Sequence, residues 1–214
     1  MLLIFDLDGT LIDSRLDLAH SVNATRAAMG KGPLPAELIS TFVGNGAPVL
    51  IKRAMGPEAG DDEIRDALEF FLDHYRRHAV DCTELYPGVR AALERLYDAR
   101  MKLAVLSNKP QPIGNAIMEH FGLARLMFRI CGGDSFEHKK PHRIGVDTLR
   151  AEADAEPNDT WMIGDSYVDV QTARNAGVPC CGVTYGFQPE TFREFPPDIL
   201  VDHLDAFADR LLPL

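Results

Sequence analysis

Short apolar runs, each closed by Gly, Ser or Asp, recur along most of this chain. The first is Leu2-Leu3-Ile4-Phe5, and Met1 to Leu7 predicts a buried strand. Others stand at about 101–106, 127–131, 160–164 and 179–183, with a weaker one at 198–201. Between them, helical spacing predicts helices at about 88–99, 111–121, 142–153, 167–176 and 203–211. Gly122, Pro157 and Gly177 supply the stops. Strands separated by helices predict a parallel sheet covered on both faces.

Residues 14 to about 80 break this alternation. Their apolar positions predict helices at about 14–29, 35–42, 46–55 and 61–79. Ser14 and Asp17 have capping-box-like spacing, and Asp61-Asp62-Glu63 puts negative charge at a helix start. The fold expected is an α/β, Rossmann-like core formed by 1–13 and 81–214. An α-helical domain of residues 14–80 is inserted in it, with hinges near Asp13-Ser14 and Val80–Glu84.

Open α/β sheets bind ligands at the carboxyl ends of their strands. Asp6, Asp8, Ser107 and Asp165 all fall at such ends. Side chains two apart on a strand face the same side, so Asp6 and Asp8 emerge together. Adjacent carboxylates repel unless a cation lies between them or one holds a proton. Taken alone, Asp8-Gly9 reads equally well as a simple turn.

The stretch Asp6-Leu7-Asp8-Gly9-Thr10-Leu11 resembles the first motif of the haloacid dehalogenase (HAD) superfamily. Three further segments follow in the family's order: Leu103–Lys109, Lys140-Pro141, and Trp161–Asp169 with its Gly164-Asp165. The resemblance covers essentially the whole chain. It implies a HAD core with a helical cap domain at 14–80, and a Mg²⁺-dependent phosphatase working through an aspartyl-phosphate. Carried over residue by residue, it makes Asp6 the nucleophile, Asp8 the general acid and base, and Lys140 the stabilising cation. Ser107, Asn108, Lys140, Gly9 and Thr10 would hold phosphate. Asp6, Asp8 (through its main-chain carbonyl), Asp165 and Asp169 would hold the metal. Lys140 is preferred to Lys109 and Lys139 because it directly precedes Pro141. The chain departs from the common Lys-Pro-x-Pro pattern, with Arg143 at the last position. On residues alone, Asp169 is equally a first-turn helix acid, and Ser107 a helix N-cap.

Thr41–Ala47, Gly132-Gly133-Asp134 and Gly182–Gly186 resemble the bacterial phosphoglycolate phosphatase branch of the family. That branch implies 2-phosphoglycolate as substrate. A sugar phosphate, a phosphomutase and a non-catalytic phosphate-binding protein are the alternatives. Gly44-Asn45-Gly46 either presents N–H groups and Asn45 to the substrate's far end or is a turn that needs glycine's freedom.

Composition narrows the setting. The chain has 214 residues, 46% of them hydrophobic, and a formal net charge of −10. That charge argues against a nucleic-acid binder. No apolar run approaches the roughly 20 residues of a membrane span, and the N-terminus lacks a signal-peptide pattern. A small phosphorylated metabolite, a cytoplasmic location and a monomer or homodimer are expected. Cys82, Cys131, Cys180 and Cys181 form no CxxC pair and read as core thiols. His74 and His78 read as a solvated helix face.

Overall fold

The structure, a computed structural model, describes residues 1–212. The chain divides into two compact units, Met1–Ile12 with Leu85–Leu214, and Asp13–Glu84. The first holds a six-stranded sheet. Its strands are β1 (Leu2–Phe5), β4 (Lys102–Leu106), β5 (Met127–Cys131), β6 (Thr160–Gly164), β7 (Cys180–Val183) and β8 (Ile199–Val201), in spatial order β5-β4-β1-β6-β7-β8. Every neighbouring pair is parallel. This is the doubly wound order, and the chain reverses direction across the sheet between β1 and β6.

Register makes the sheet's carboxyl edge level where it matters. Phe5 stands opposite Val105 on one side and Ile163 on the other. Asp6 therefore leaves β1 beside the ends of β4 and β6. The ladder of β1 is shorter than the apolar run predicts, but Asp6 N–H still donates to the Ile163 carbonyl at 2.8 Å. The backbone is thus held to the point where the carboxylate begins.

The helices of this unit are α5 (Val89–Asp98), α6 (Gln111–His120), α7 (Ile144–Ala153), α8 (Tyr167–Ala176) and α9 (Leu204–Leu211). Alternation along the strands sends Leu2 and Ile4 to one face. There they join Ala104, Leu106 and Met162 in a core closed by Val146 and Leu149 of α7 and Val170 and Ala173 of α8. The opposite face is also covered: Trp161 of β6 meets Phe207 of α9 edge-on, with ring centroids 5.5 Å apart. Continuous apolar strands follow from burial on both faces.

The second unit is helical: α1 (Arg15–Ala28), α2 (Ala36–Ser40), α3 (Ala47–Met55) and α4 (Asp61–His78). Its core is its own. Leu18 and Val22 of α1, Ile39 of α2, Leu50 and Ile51 of α3, and Ala67, Phe71 and Tyr75 of α4 are buried. The Asn23 amide locks the turn after α1 by bonding both the N–H and the carbonyl of Leu34, at 2.8 and 2.9 Å. The two crossings of the chain, β2 (Ile12–Asp13) and β3 (Glu84–Leu85), pair as a two-stranded ribbon.

Several local expectations are corrected. Ser14 and Asp17 make no capping box; the Asp17 carboxylate instead accepts bonds from Cys82 and Thr83. His74 is half-buried, with Nδ1 3.1 Å from Ser21 Oγ, so that helix face is not wholly solvated. Cys131, Cys180 and Cys181 are core thiols, but Cys82 is exposed. No helix among the described residues is long and apolar enough to cross a membrane.

Ile4 sits fully buried at the centre of the sheet. Ile4→Ala is expected to lower the unfolding free energy by about 2–5 kcal/mol, through lost burial and the cavity left behind. Urea denaturation with an unchanged slope checks this.

Candidate active site

Three carboxylates gather at the carboxyl edge where the strand order reverses. Asp6 follows β1, Asp165 follows β6, and Asp169 lies in the first turn of α8. All are buried, and one oxygen from each lies within 4.8 Å of the others. Lys140, also buried, reaches into the same cluster: its Nζ is 2.7 Å from Asp169 Oδ1 and 2.9 Å from Asp6 Oδ1. One ammonium among three buried carboxylates leaves excess negative charge in a low-dielectric place.

The acids respond accordingly. Burial pushes the Asp6 carboxyl up to about 6; Asp169 and Asp8 add to the rise, and Lys140 opposes it. Asp165 is raised well above the usual carboxylate range by burial and by the charges of Asp169 and Asp6. Lys140 is held charged: burial works against the ammonium, but Asp169 and Asp6 outweigh it and raise its pKa.

Each carboxylate is aimed by a different device. Asp169 Oδ2 accepts from the Ser166 N–H at 3.2 Å, which is one half of a capping box at the start of α8, and also from Ser166 Oγ at 3.0 Å. Its Oδ1 is taken by Lys140. With both oxygens engaged, Asp169 is suited to orienting the lysine. Asp165 Oδ2 accepts the Phe187 N–H at 2.6 Å, leaving Oδ1 for a ligand. Asp6 Oδ1 is buried and, despite the nearby ammonium, lacks a well-aligned hydrogen bond. Hard oxygen donors with an underused buried oxygen are the set Mg²⁺ prefers. The residues present fit that ion, with Asp6 and Asp165 as the side-chain donors.

Glycines set how closely the walls approach. Gly9 has φ +81°, and a Cβ there would run into the Asp165 carboxylate. A Cβ on Gly186 would strike Asp165 and the Gly9 carbonyl, and one on Gly164 would strike Asp169. The loop after β7 thus lies directly on the acidic edge. Tyr185 reinforces it, donating its hydroxyl to the Thr10 carbonyl at 2.9 Å and packing on the Tyr86 ring.

Asp8 takes a separate position. Its Oδ1 is 2.7 Å from Lys109 Nζ, and the Lys109 side chain is almost fully buried. The Asp8 side chain is not in the three-carboxylate cluster, which leaves its main-chain carbonyl as the donor expected for a metal. Ser107 and Asn108 follow β4 and are buried. Asn108 Nδ2 donates to the Lys140 carbonyl at 2.9 Å, tying that loop to the cis Lys140-Pro141 segment. Thr10 is buried, and its Oγ1 has no hydrogen-bond partner.

Ser107 is not an N-cap: α6 starts at Gln111. The acceptor at that helix start is Asp134, whose carboxylate takes the Gln111 N–H at 2.7 Å. Gly132 and Gly133 allow this approach, since side chains there would collide with the backbone of 108–111. Asn45 belongs to the helical unit, between Gly44 and Gly46, both at positive φ. It is not part of the cluster built here. Sequence reasoning missed the Lys109–Asp8 pair, although Lys109 directly follows Ser107-Asn108. It also gave no role to Tyr185 and Phe187, although Tyr185 lies in a quoted motif.

The sequence profile of the haloacid dehalogenase-like hydrolases matches residues 3–183. The phosphoglycolate phosphatase of Agrobacterium fabrum is 37% identical over 213 residues, covering 98% of this chain and 91% of its own. That of Vibrio vulnificus is 35% identical, with 99% and 96% covered. A crystal structure described as a predicted phosphoglycolate phosphatase from Haemophilus somnus superposes with a TM-score of 0.93. It is 31% identical, covering 99% of this chain and 97% of its own.

An acid whose folded-state pKa exceeds its unfolded value binds its proton more tightly when folded. In the ion-free protein, Asp6 therefore makes stability fall as pH rises from 3.8 through about 6. Asp6→Asn removes that penalty. In EDTA at pH 7.5 it is expected to raise stability by roughly 1–3 kcal/mol, with little change near pH 4. Thermal unfolding at the two pH values tests this; equal destabilisation at both would refute it.

Proposed function

Because the chain belongs to the haloacid dehalogenase-like hydrolases, we propose that it hydrolyses 2-phosphoglycolate to glycolate and phosphate. The observation that carries the chemistry is the meeting of Asp6, Asp165, Asp169 and Lys140 at one strand edge, with the Asp8–Lys109 pair in the same loop region. The names of the relatives carry the substrate. A small phosphorylated metabolite follows from the same likeness, and a cytoplasmic setting is part of the proposal.

Asp6 attacks phosphorus. A bond forms between its carboxylate oxygen and the phosphoryl group as the ester P–O bond breaks, giving an aspartyl-phosphate. Asp8, having taken a proton from solvent, gives it to the departing alkoxide, then takes one from the water that attacks phosphorus and breaks its bond to Asp6, releasing phosphate. This requires Asp8 to let go of the Lys109 ammonium, which then faces the charge of the substrate. Lys140, fixed by Asp169, stabilises negative charge on the transferring oxygens. Ser107, Asn108 and the unpartnered Thr10 hydroxyl hold those oxygens, since the Gly9 and Thr10 N–H groups donate to the Ile12 and Leu7 carbonyls. Mg²⁺, held by Asp6, Asp165 and the Asp8 carbonyl, would neutralise phosphate charge so that an anionic nucleophile can approach.

Phosphate release is measured from 2-phosphoglycolate, 3-phosphoglycerate, hexose phosphates and para-nitrophenyl phosphate, with and without Mg²⁺. We expect Mg²⁺-dependent release, highest kcat/KM on 2-phosphoglycolate, and at least about a 10³-fold lower kcat in folded Asp6→Asn. Highest kcat/KM on a hexose phosphate would replace the substrate and keep the mechanism. No release from any ester by folded protein would overturn both.

A further inference from the structure

The helical unit holds a second group of metal-type donors, made of Asp17, His20 and Cys82. One ligand atom from each lies within 4.8 Å of the others. Asp17 and His20 are one turn apart on α1 and share a face. Cys82 arrives from the other end of the unit, between α4 and β3, so its separation of more than 60 residues hides the grouping from the sequence.

Asp17 is buried and held rigidly. Its Oδ1 accepts the Cys82 N–H at 2.9 Å. Its Oδ2 accepts the Cys82 N–H at 3.0 Å, the Thr83 N–H at 2.8 Å and Thr83 Oγ1 at 2.7 Å. All these donors are neutral, and no cationic side chain pairs with Asp17 among the described residues. The carboxylate is fixed in orientation in the way outer hydrogen bonds fix a metal ligand. Oδ1 takes one backbone hydrogen bond, and the Cys82 thiol lies within hydrogen-bond reach of the same carboxylate. His20 and Cys82 are exposed, so the group is open to an ion from solvent.

The donor set differs from the acidic strand edge. One sulfur, one imidazole nitrogen and one carboxylate oxygen suit a borderline ion such as Zn²⁺ in tetrahedral geometry, with solvent in the fourth position. We propose that Asp17, His20 and Cys82 form a Zn²⁺-type site that ties α1 to the returning segment at Cys82-Thr83. As the sulfur–metal bond forms, the Cys82 thiol releases its proton to solvent. The oxygen-only edge does not compete for this ion class on equal terms.

Co²⁺ is the probe, added to the intact protein with Mg²⁺ in excess. A thiolate ligand gives a sulfur-to-cobalt charge-transfer band in the near ultraviolet, which oxygen ligands do not. We expect this band to saturate at one equivalent in wild type and to vanish in Cys82→Ser. His20→Ala should weaken Co²⁺ binding at least about tenfold, and Thr83→Val, which removes no ligand, by about tenfold. Cys180 lies near enough to Asp169 to feel its charge, so it is the competing thiol. A band that survives Cys82→Ser, or no band in wild type with Cys82 shown to be reduced, would overturn the site. Circular dichroism confirms that each variant is folded.

Discussion

The structure turns on the repulsion among carboxylates that the sheet forces together out of water. Parallel register brings the ends of β1 and β6 level, and each strand is followed by an acid. Asp169 adds a third charge from the first turn of the next helix. Lys140 answers only part of this, so the cluster stays short of positive charge. Such a cluster survives only where the surrounding fold over-determines it. Around it stand the Ser166 capping box, the Phe187 N–H, the Tyr185 hydroxyl and glycines too small to push the acids apart. The surrounding sheet supplies the stability that the cluster removes, and the unmet charge is the capacity to bind a cation and a phosphate.

The strands and helices were legible because their cause is local. An apolar run such as Leu2–Phe5 must be buried on both faces wherever it lies. The helices after them follow from spacing, and Gly177 ends α8 in the left-handed conformation that glycine favours. The acids at strand ends could be read as well, since a strand's direction fixes which end they occupy. Readings that failed were those in which a polar side chain has several partners within reach. Asp17 has helix-start spacing, but three donors from Cys82 and Thr83 outbid its own helix. Ser107 stands before a helix, yet Asp134, from the loop after β5, caps it instead.

The same reasoning separates the two lysines at the acidic edge. Both Lys109 and Lys140 are buried, and both meet an aspartate of the first loop. Lys140 is fixed from a second side by Asp169, whereas Lys109 answers Asp8 at the rim. A cation shared between two acids is held in place; one beside a half-buried acid is positioned to exchange partners. Sequence adjacency to Ser107 could mark Lys109 as near the site, but only the distance of its Nζ to Asp8 reveals which acid it serves.

The ribbon of β2 and β3 has a consequence for descent and for engineering. The helical unit leaves and rejoins the core on two paired strands, whose backbones lie about 4.8 Å apart as in any sheet. Its apolar core is closed by its own four helices. Any compact segment whose ends meet at that spacing could be spliced between Ile12 and Leu85 without changing the register of the six core strands. The helical unit can therefore be exchanged whole, while the charged strand edge is left unchanged.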